Sequence, residues 1–240
     1  PAASLSFYRG YPDRKAILSL YPYDWFEASV FYSSIEGKPY GSGFSQSYKD
    51  KGFNVKVRLK EEGQFPAIAV GAYDIGGTGY YSSEYIVSSY AFNRFDFHFG
   101  ASWGRMNHFE SINNPFIEIS ERFRSRDSLL EEGGNFNFKN YFSGATASLF
   151  GGINYAINEN TVLKLELDPL QTPGRVGFKE RKSDISFGLN YLKKNYVIGL
   201  NFERGSNFSL NLNLRDNFFI PEYTYKKNPR KSLNKYNELV

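Results

Sequence analysis

The chain has 240 residues, of which 41% are hydrophobic, 18% aromatic and 22% charged, with a formal net charge of +4. That length suits one large β domain or two small ones, and no run approaches the ~20 apolar residues that a membrane-spanning helix needs. The absence of cysteine excludes disulfides, thiolate metal sites and a lipid-anchor cysteine within these residues, and leaves the compartment open. Basic and acidic residues are interspersed, so no nucleic-acid partner is expected, while the small basic excess allows a mild preference for anionic glycans. Pro1-Ala2-Ala3 does not open a signal peptide, which points to a mature or trimmed form.

In chain order, about twelve strands are predicted, at 3–9, 15–21, 25–34, 52–60, 66–74, 80–91, 94–103, 143–156, 161–168, 184–192, 196–203 and 208–215. The signal is a period of two, because successive side chains of a strand point to opposite faces. Phe53, Val55, Val57 and Leu59 alternate with Asn54, Lys56, Arg58 and Lys60, and Phe95, Phe97 and Phe99 with Arg94, Asp96 and His98. Leu163, Leu165 and Leu167 alternate with Lys164, Glu166 and Asp168, and Phe208, Leu210, Leu212 and Leu214 with Ser209, Asn211, Asn213 and Arg215. A charged face of this kind is natural in a water-filled lumen, and the lengths suit the ~9–11 residues of a tilted membrane strand. Val57, Phe97 and Leu212 are then expected to face lipid.

The connections sort by length. Those after even-numbered strands are short, around Tyr23, Glu62-Gly63, Phe92-Asn93, Asn158-Glu159-Asn160 and Lys193-Lys194, whereas every long one, 35–51, 104–142 and 169–183, follows an odd-numbered strand. Short turns on one rim and long loops on the other are the build of an outer-membrane barrel, with both termini on the periplasmic rim. The longest loop carries Pro115, Phe116, Arg122, Phe123 and Arg124. It is expected to form a short helix near Pro115 and to fold into the lumen as a constriction; the alternative is a surface loop without lumen contact. Residues 1–219 read as the barrel. Residues 220–240 read as a charged tail or linker, following an aromatic-ended last strand at 210–219 like those the barrel-assembly machinery reads.

Candidate lumen or glycan-contact residues are Lys56, Arg58, Glu84, Arg94, Asp96, His98, Lys164, Glu166, Glu203 and Arg215, with Glu27 beside them. Their alternative role is a set of interior ion pairs filling a narrow barrel. Gly76-Gly77-Thr78-Gly79 precedes no helix, so it reads as a tight connection rather than a phosphate loop. His98 and His108, the only histidines, have no metal-ligand spacing. A Ser–His pair from His98 with Ser82 or Ser88 is the sole catalytic arrangement on offer, and no catalytic, metal or cofactor site is assigned. Tyr23, Trp25, Tyr80 and Trp103 fall at strand ends and read as interfacial girdle residues, while Tyr81, Tyr85, Tyr90 and Tyr191 are girdle or sugar-stacking candidates.

Tyr48-Lys49-Asp50-Lys51-Gly52, Asp74-Ile75-Gly76-Gly77-Thr78-Gly79, Ser83-Glu84-Tyr85, Trp103-Gly104, Asn114-Pro115-Phe116, Phe150-Gly151-Gly152, Leu163-Lys164-Leu165-Glu166 and Glu203-Arg204-Gly205 resemble the YjbH family, in order along nearly the whole chain. The resemblance implies an outer-membrane β-barrel of a Gram-negative bacterium linked to exopolysaccharide or capsule secretion or assembly. Its implied partners are outer-membrane lipid, a polysaccharide chain and other proteins of an exopolysaccharide cluster. Family members are often longer, with a second barrel-like half and a lipidated N-terminus, so the chain is expected to be one module of such a protein or a reduced member. The combined expectation is an all-β, antiparallel up-and-down transmembrane barrel of about twelve strands with one long extracellular loop, non-catalytic. A barrel enzyme acting on lipid or glycan, and a soluble ligand-binding barrel, are the alternatives.

Overall fold

The computed structural model describes residues 2–11, 13–41, 43, 45–127, 138–171 and 181–217. The expected tail at 220–240 and the tip of the long loop lie outside them. Thirteen strands follow one another: β1 (Ala2–Arg9), β2 (Asp13–Tyr23), β3 (Phe26–Pro39), β4 (Ser47–Lys60), β5 (Ala67–Ile75), β6 (Ser83–Phe92), β7 (Phe95–Gly104), β8 (Ile112–Asn113), β9 (Thr146–Asn158), β10 (Thr161–Leu167), β11 (Ile185–Leu192), β12 (Tyr196–Glu203) and β13 (Asn207–Asn217). β8 is a two-residue addition along β9. The other twelve close on themselves: each pairs antiparallel with the next, and β13 pairs with β1. Every strand expected from the alternation overlaps one of the twelve.

Closure fixes one inner and one outer face along every strand, because the pairing register carries the period of two from neighbour to neighbour. Leu5, Phe7, Leu18, Phe97, Phe99, Leu163, Leu189, Leu200 and Leu210 form an exposed apolar outer surface. Val57, Phe97 and Leu212 belong to this set through their partners Val70, Ile153 and Ile198. The inner face carries Ser4, Ser19, Ser29, Ser33, Asp50, Ser186 and Ser209, all buried. An apolar exterior round a polar interior inverts the pattern of a soluble barrel and matches a barrel whose outer solvent is lipid. Tyr23 and Trp25 stack at 5.4 Å on the short-turn rim, both exposed, as girdle residues do.

The two rims differ as expected. One carries the turns 24–25, 61–66, 93–94, 159–160 and 193–195; the other carries 10–12, 40–46, 76–82, 105–145, 168–184 and 204–206. Asn93, in a two-residue turn, sits at φ 53°, a conformation asparagine tolerates better than most residues.

Inner-face glycines set the thickness of the wall. Each lets a large side chain from the adjacent strand lie flat over its Cα. Phe150 lies over Gly100, His98 over Gly152, Asn201 over Gly188 and Asn190 over Gly199, with side-chain atoms 2.5–2.7 Å from where a Cβ would stand. Tyr85 covers Gly71 in the same way. This keeps a 12-stranded wall from filling its own lumen.

Leu189→Arg places a charge on the outer face in the middle of β11. It should cost about 2–4 kcal/mol of folding stability in a bilayer or micelle, whereas Asn190→Arg, one residue on and inward, should cost much less. Urea unfolding followed by the heat-modifiable shift on gel electrophoresis measures both; equal costs would mean that the faces are wrongly assigned.

Candidate functional site

The long-loop half of the lumen holds a cavity of about 480 Å³. Polar and charged side chains converge on it from distant parts of the sequence because barrel closure turns the inner faces of several strands toward one space: Tyr8 from β1, Asp13 and Lys15 from β2, Lys164 and Glu166 from β10, and Glu203 from the end of β12. Arg204 follows in a tight turn at φ 52° and points inward, where its guanidinium reaches Asp168 at 2.8 Å, Glu203 at 2.9 Å and the Tyr11 carbonyl at 2.9 Å. Glu203 also accepts hydrogen bonds from Tyr8 at 2.8 Å and Ser209 at 2.5 Å. Lys164 and Glu166, two residues apart on one face, pair at 2.8 Å. The charges therefore neutralise one another in place, as charge-assisted hydrogen bonds in a narrow interior do.

The short-turn half holds a second cavity of about 270 Å³, lined by Tyr21, Glu27, Lys56, Arg58, Val87 and Ser89. Arg58 also reaches Glu61 of the following turn at 3.0 Å. Arg215 stands beside Tyr21, 5.8 Å from its ring centroid.

At the long-loop end the connection 76–82 folds inward against β2 and β3. Its glycines at 76 and 79 take φ of 66° and 80°, which only glycine adopts cheaply, and the bend drives Tyr80 and Tyr81 inward. Both are buried with Phe31 and Ile35, the cluster that forms the barrel's one hydrophobic core among the described residues. The Tyr81 hydroxyl donates to Asp13, Ser33 donates to the same carboxylate at 3.0 Å, and the Lys15 ammonium pairs with it at 3.0 Å while sitting 3.4 Å from the Tyr81 ring centroid. Burial, reinforced by the Asp13 charge, pushes the Tyr81 hydroxyl well above its ordinary pKa, so it stays protonated and remains a donor. Lys38 clamps Tyr80 from the side, 3.7 Å from its ring centroid. Tyr80 is thus a plug residue and not a girdle residue.

Most of the expected lumen residues face inward. Lys56 and Arg58 line the lower cavity, Lys164, Glu166 and Glu203 the upper one. Asp96 accepts from Asn154 at 3.3 Å on the wall between, and His98 lies over Gly152. Two do not. Arg94 sits in the exposed turn between β6 and β7 and donates to the Ile157 carbonyl at 3.3 Å. Glu84 is opposite Ala72 and Trp103 in the register, on the row of Ile86 and Ala101, which is the outer face.

The five loop residues expected in the lumen are also elsewhere. Residues 106–109 of loop 105–145 hydrogen-bond to Ser102 and Ser148 on the inner row, whereas 112–127 and 138–145 fold back over the outside of the wall at β6, β7 and β9. Phe116 and Phe142 pack on Trp103 at 5.4 and 5.2 Å, and Phe123 packs on Phe116 at 5.5 Å. Trp103 is thereby 1% exposed, hidden from lipid rather than presented to it. The apolar liability of these aromatics is met by covering the outer wall, not by entering the pore. Pro115 opens a 3-10 turn, Pro115–Glu118, at the place where a short helix was expected. Asn114 caps it and donates to the Phe123, Phe142 and Gly144 carbonyls at 3.3, 2.9 and 2.9 Å, tying both legs together. Arg122 stacks on Phe123, and Arg124 pairs with Glu121 in solvent. Half-buried Arg126 grips the buried Glu84 at 2.7 and 3.0 Å, and Glu84 accepts from the Phe142 amide as well.

The catalytic alternative finds little support in the geometry. Ser88 is on the face opposite His98, and Ser82 is held by Arg126 at 2.8 Å. Ser89 is the cross-strand partner of His98, and no hydrogen bond joins the two among the described residues. His108 stands at the long-loop rim, 3.9 Å from Asp184. Burial and then the Arg181 guanidinium hold its pKa below the ordinary value, so it is neutral at pH 7.

Sequence reasoning missed Asp13, Lys15 and Arg204 as lumen residues; it put Asp168 on the charged face of its strand without naming it a site residue, and read Tyr81 as a girdle or sugar-stacking residue. Asp13 and Lys15 share the parity of Ile17 and Ser19, so extending the alternation of the second strand backwards would have exposed them. Arg204 and Tyr81 lie in connections, where alternation carries no information.

Among known proteins, the family described as Exopolysaccharide biosynthesis protein YbjH matches residues 2–238. The uncharacterized lipoprotein YjbH of Escherichia coli (strain K12) is 36% identical over 223 residues, covering 90% of this chain and 32% of that protein. The chain thus spans about a third of the length of this curated relative. Among solved structures, the KdgM porin, also solved in complex with disordered oligogalacturonate, aligns with a TM-score of 0.46 at 10% identity, covering 91% of this chain and 99% of that one. The NanC porin aligns with a TM-score of 0.40 at 13% identity, covering 90% and 99%.

Glu84→Ala would strand Arg126 against a dry wall. Breaking a buried pair from one side should cost on the order of 3 kcal/mol, here spent on undocking the loop rather than on unfolding the barrel. Trypsin should then cut after Arg122, Arg124 and Arg126 much faster, with the heat-modifiable barrel intact. Wild-type cleavage rates would refute the clasp.

Proposed function

The chain belongs to the YjbH exopolysaccharide biosynthesis family, and on that premise we propose that it is a non-catalytic outer-membrane barrel of a Gram-negative bacterium that conducts or holds a polysaccharide chain during secretion or assembly. The observation that carries this reading is the lumen: lined largely by polar and paired charged groups, with a cavity in each half and the connection 76–82 folded inward at the long-loop end. Outer-membrane lipid surrounds the apolar exterior. The glycan and other proteins of an exopolysaccharide cluster are the partners, and the remaining two-thirds of a full-length relative is where further modules act.

In this reading the pore is shut at rest by Tyr81, and the plug yields when a glycan or a partner engages it. The plug is held by the Tyr81 hydroxyl on Asp13, by Lys15 over the Tyr81 ring and by Lys38 over Tyr80, and displacing Tyr81 exposes a carboxylate already neutralised by Lys15. That lowers the cost of opening, since no unpaired buried charge is left behind. The glycines at 76 and 79 are natural hinge points for such a movement.

Tyr81→Ala should raise single-channel conductance in planar bilayers severalfold over a low wild-type level, with the heat-modifiable shift retained. In cells, loss of the whole chain should reduce surface polysaccharide. Conductance unchanged in a folded Tyr81→Ala barrel would remove 76–82 as the closing element, and undiminished surface polysaccharide on loss of the chain would remove the export role.

A further inference from the structure

The lumen is not the same on its two sides. From β2 to β6 the inner face projects bulky groups: Tyr21, Phe31, Tyr48, Tyr73 and Tyr85, with Tyr81 above them. Across from them, β11, β12 and β13 present glycine and asparagine in facing rows, Asn190 against Gly199 and Asn211, and Gly188 against Asn201. Asn213 continues the row beside Ser6. The amides of Asn190 and Asn201 lie flat over the facing glycines, their oxygens 2.5 Å from where a Cβ would stand. The result is a thin wall surfaced with carboxamides, running from the upper cavity toward the short-turn rim.

Resting on the export reading, we infer that this wall is a binding track for an uncharged stretch of glycan. A carboxamide offers both donors and acceptors, as a sugar hydroxyl does, so each can satisfy the other without a charge. The fixed charges of the upper cavity, beside the head of the track, are already spent on one another. The upper cavity's lining has three cations, Lys15, Lys164 and Arg204, against four carboxylates, Asp13, Glu166, Asp168 and Glu203. Each cation is within 3.0 Å of a carboxylate. A uronate or other anionic sugar entering here loses hydration and gains no free cation, which is unfavourable. The mild preference for anionic glycans allowed by the net charge therefore does not extend to this surface. A neutral sugar incurs no such penalty.

The test is calorimetric titration of the full chain in detergent micelles, which requires no open pore. Maltoheptaose, cellohexaose and chitohexaose serve as neutral probes and an oligoguluronate hexamer as the acidic one. At least one neutral oligomer should bind, and the oligoguluronate should bind at least about tenfold more weakly, a difference of about 1.4 kcal/mol. Asn211→Leu should weaken the neutral oligomer several-fold and Asn211→Gln should restore it. Asn211→Lys should raise oligoguluronate affinity. Gly199→Phe, which fills the track from the neighbouring strand, should abolish neutral binding if Asn211→Leu fails to fold. Tighter binding of the oligoguluronate, no neutral binding, or full affinity in folded Asn211→Leu would overturn the track. Where those results accompany surface polysaccharide that still depends on the chain, the track falls and the export reading stands. Where surface polysaccharide is also independent of the chain, both fall.

Discussion

The pairing of β1 with β13 is the constraint on which everything else depends. Once the first and last strands hydrogen-bond antiparallel, the sheet has no edge, and every backbone amide of the wall can be satisfied without water. Closure also forces one parity round the whole ring. A side chain's face is then decided by its register and not by its chemistry, and chemistry has to follow. Leucine and phenylalanine collect outside, serine, asparagine and paired charges inside.

That constraint explains why some residues do unexpected jobs. Glu84 and Trp103 are directly opposed on the outer row, a poor place for a carboxylate if lipid reached it. Loop 105–145 resolves the conflict by supplying Arg126 to one and Phe116 and Phe142 to the other. On the inner row the conflict is crowding. Tyr85, Phe150 and His98 would meet in the middle of the barrel if each did not lie over a glycine of the next strand. Glycine here does not bend the chain; it makes room for a neighbour.

Much of this was legible in the sequence. The strands were, because a period of two is written in residues such as Phe53 to Lys60, and so was the division into a short-turn and a long-loop rim. Faces were legible where alternation is clean, as for Lys164 and Glu166. They were not in β6, where Tyr85, Ile86 and Val87 run together without alternating, so Glu84 was taken for a lumen residue. Arg94 alternates with its neighbours but lies one step beyond the strand, where parity ceases to mean anything. The direction in which loops fold was not legible at all. Phe116 and Phe123 needed cover, and nothing local says whether the cover is a pore or the outer face of Trp103. Likewise Tyr80 and Tyr81 read as the start of a strand, although the preceding glycines turn them into the mouth.

The clasp of loop 105–145 has a mechanical consequence for the barrel's posture. Where the loop covers the wall, over Glu84, Trp103 and Ala147, the surface available to acyl chains stops short of the rim. Immediately beside β9, Leu167 of β10 and Ile185 of β11 carry the apolar surface up to the rim, each 41% exposed. A cylinder with a shorter greasy wall on one flank does not stand upright in a slab of uniform thickness. It leans, or the bilayer thins beside it, at a modest cost per ångström of mismatch. Loop 105–145 therefore shortens the apolar band over β6, β7 and β9 relative to the strands beside it.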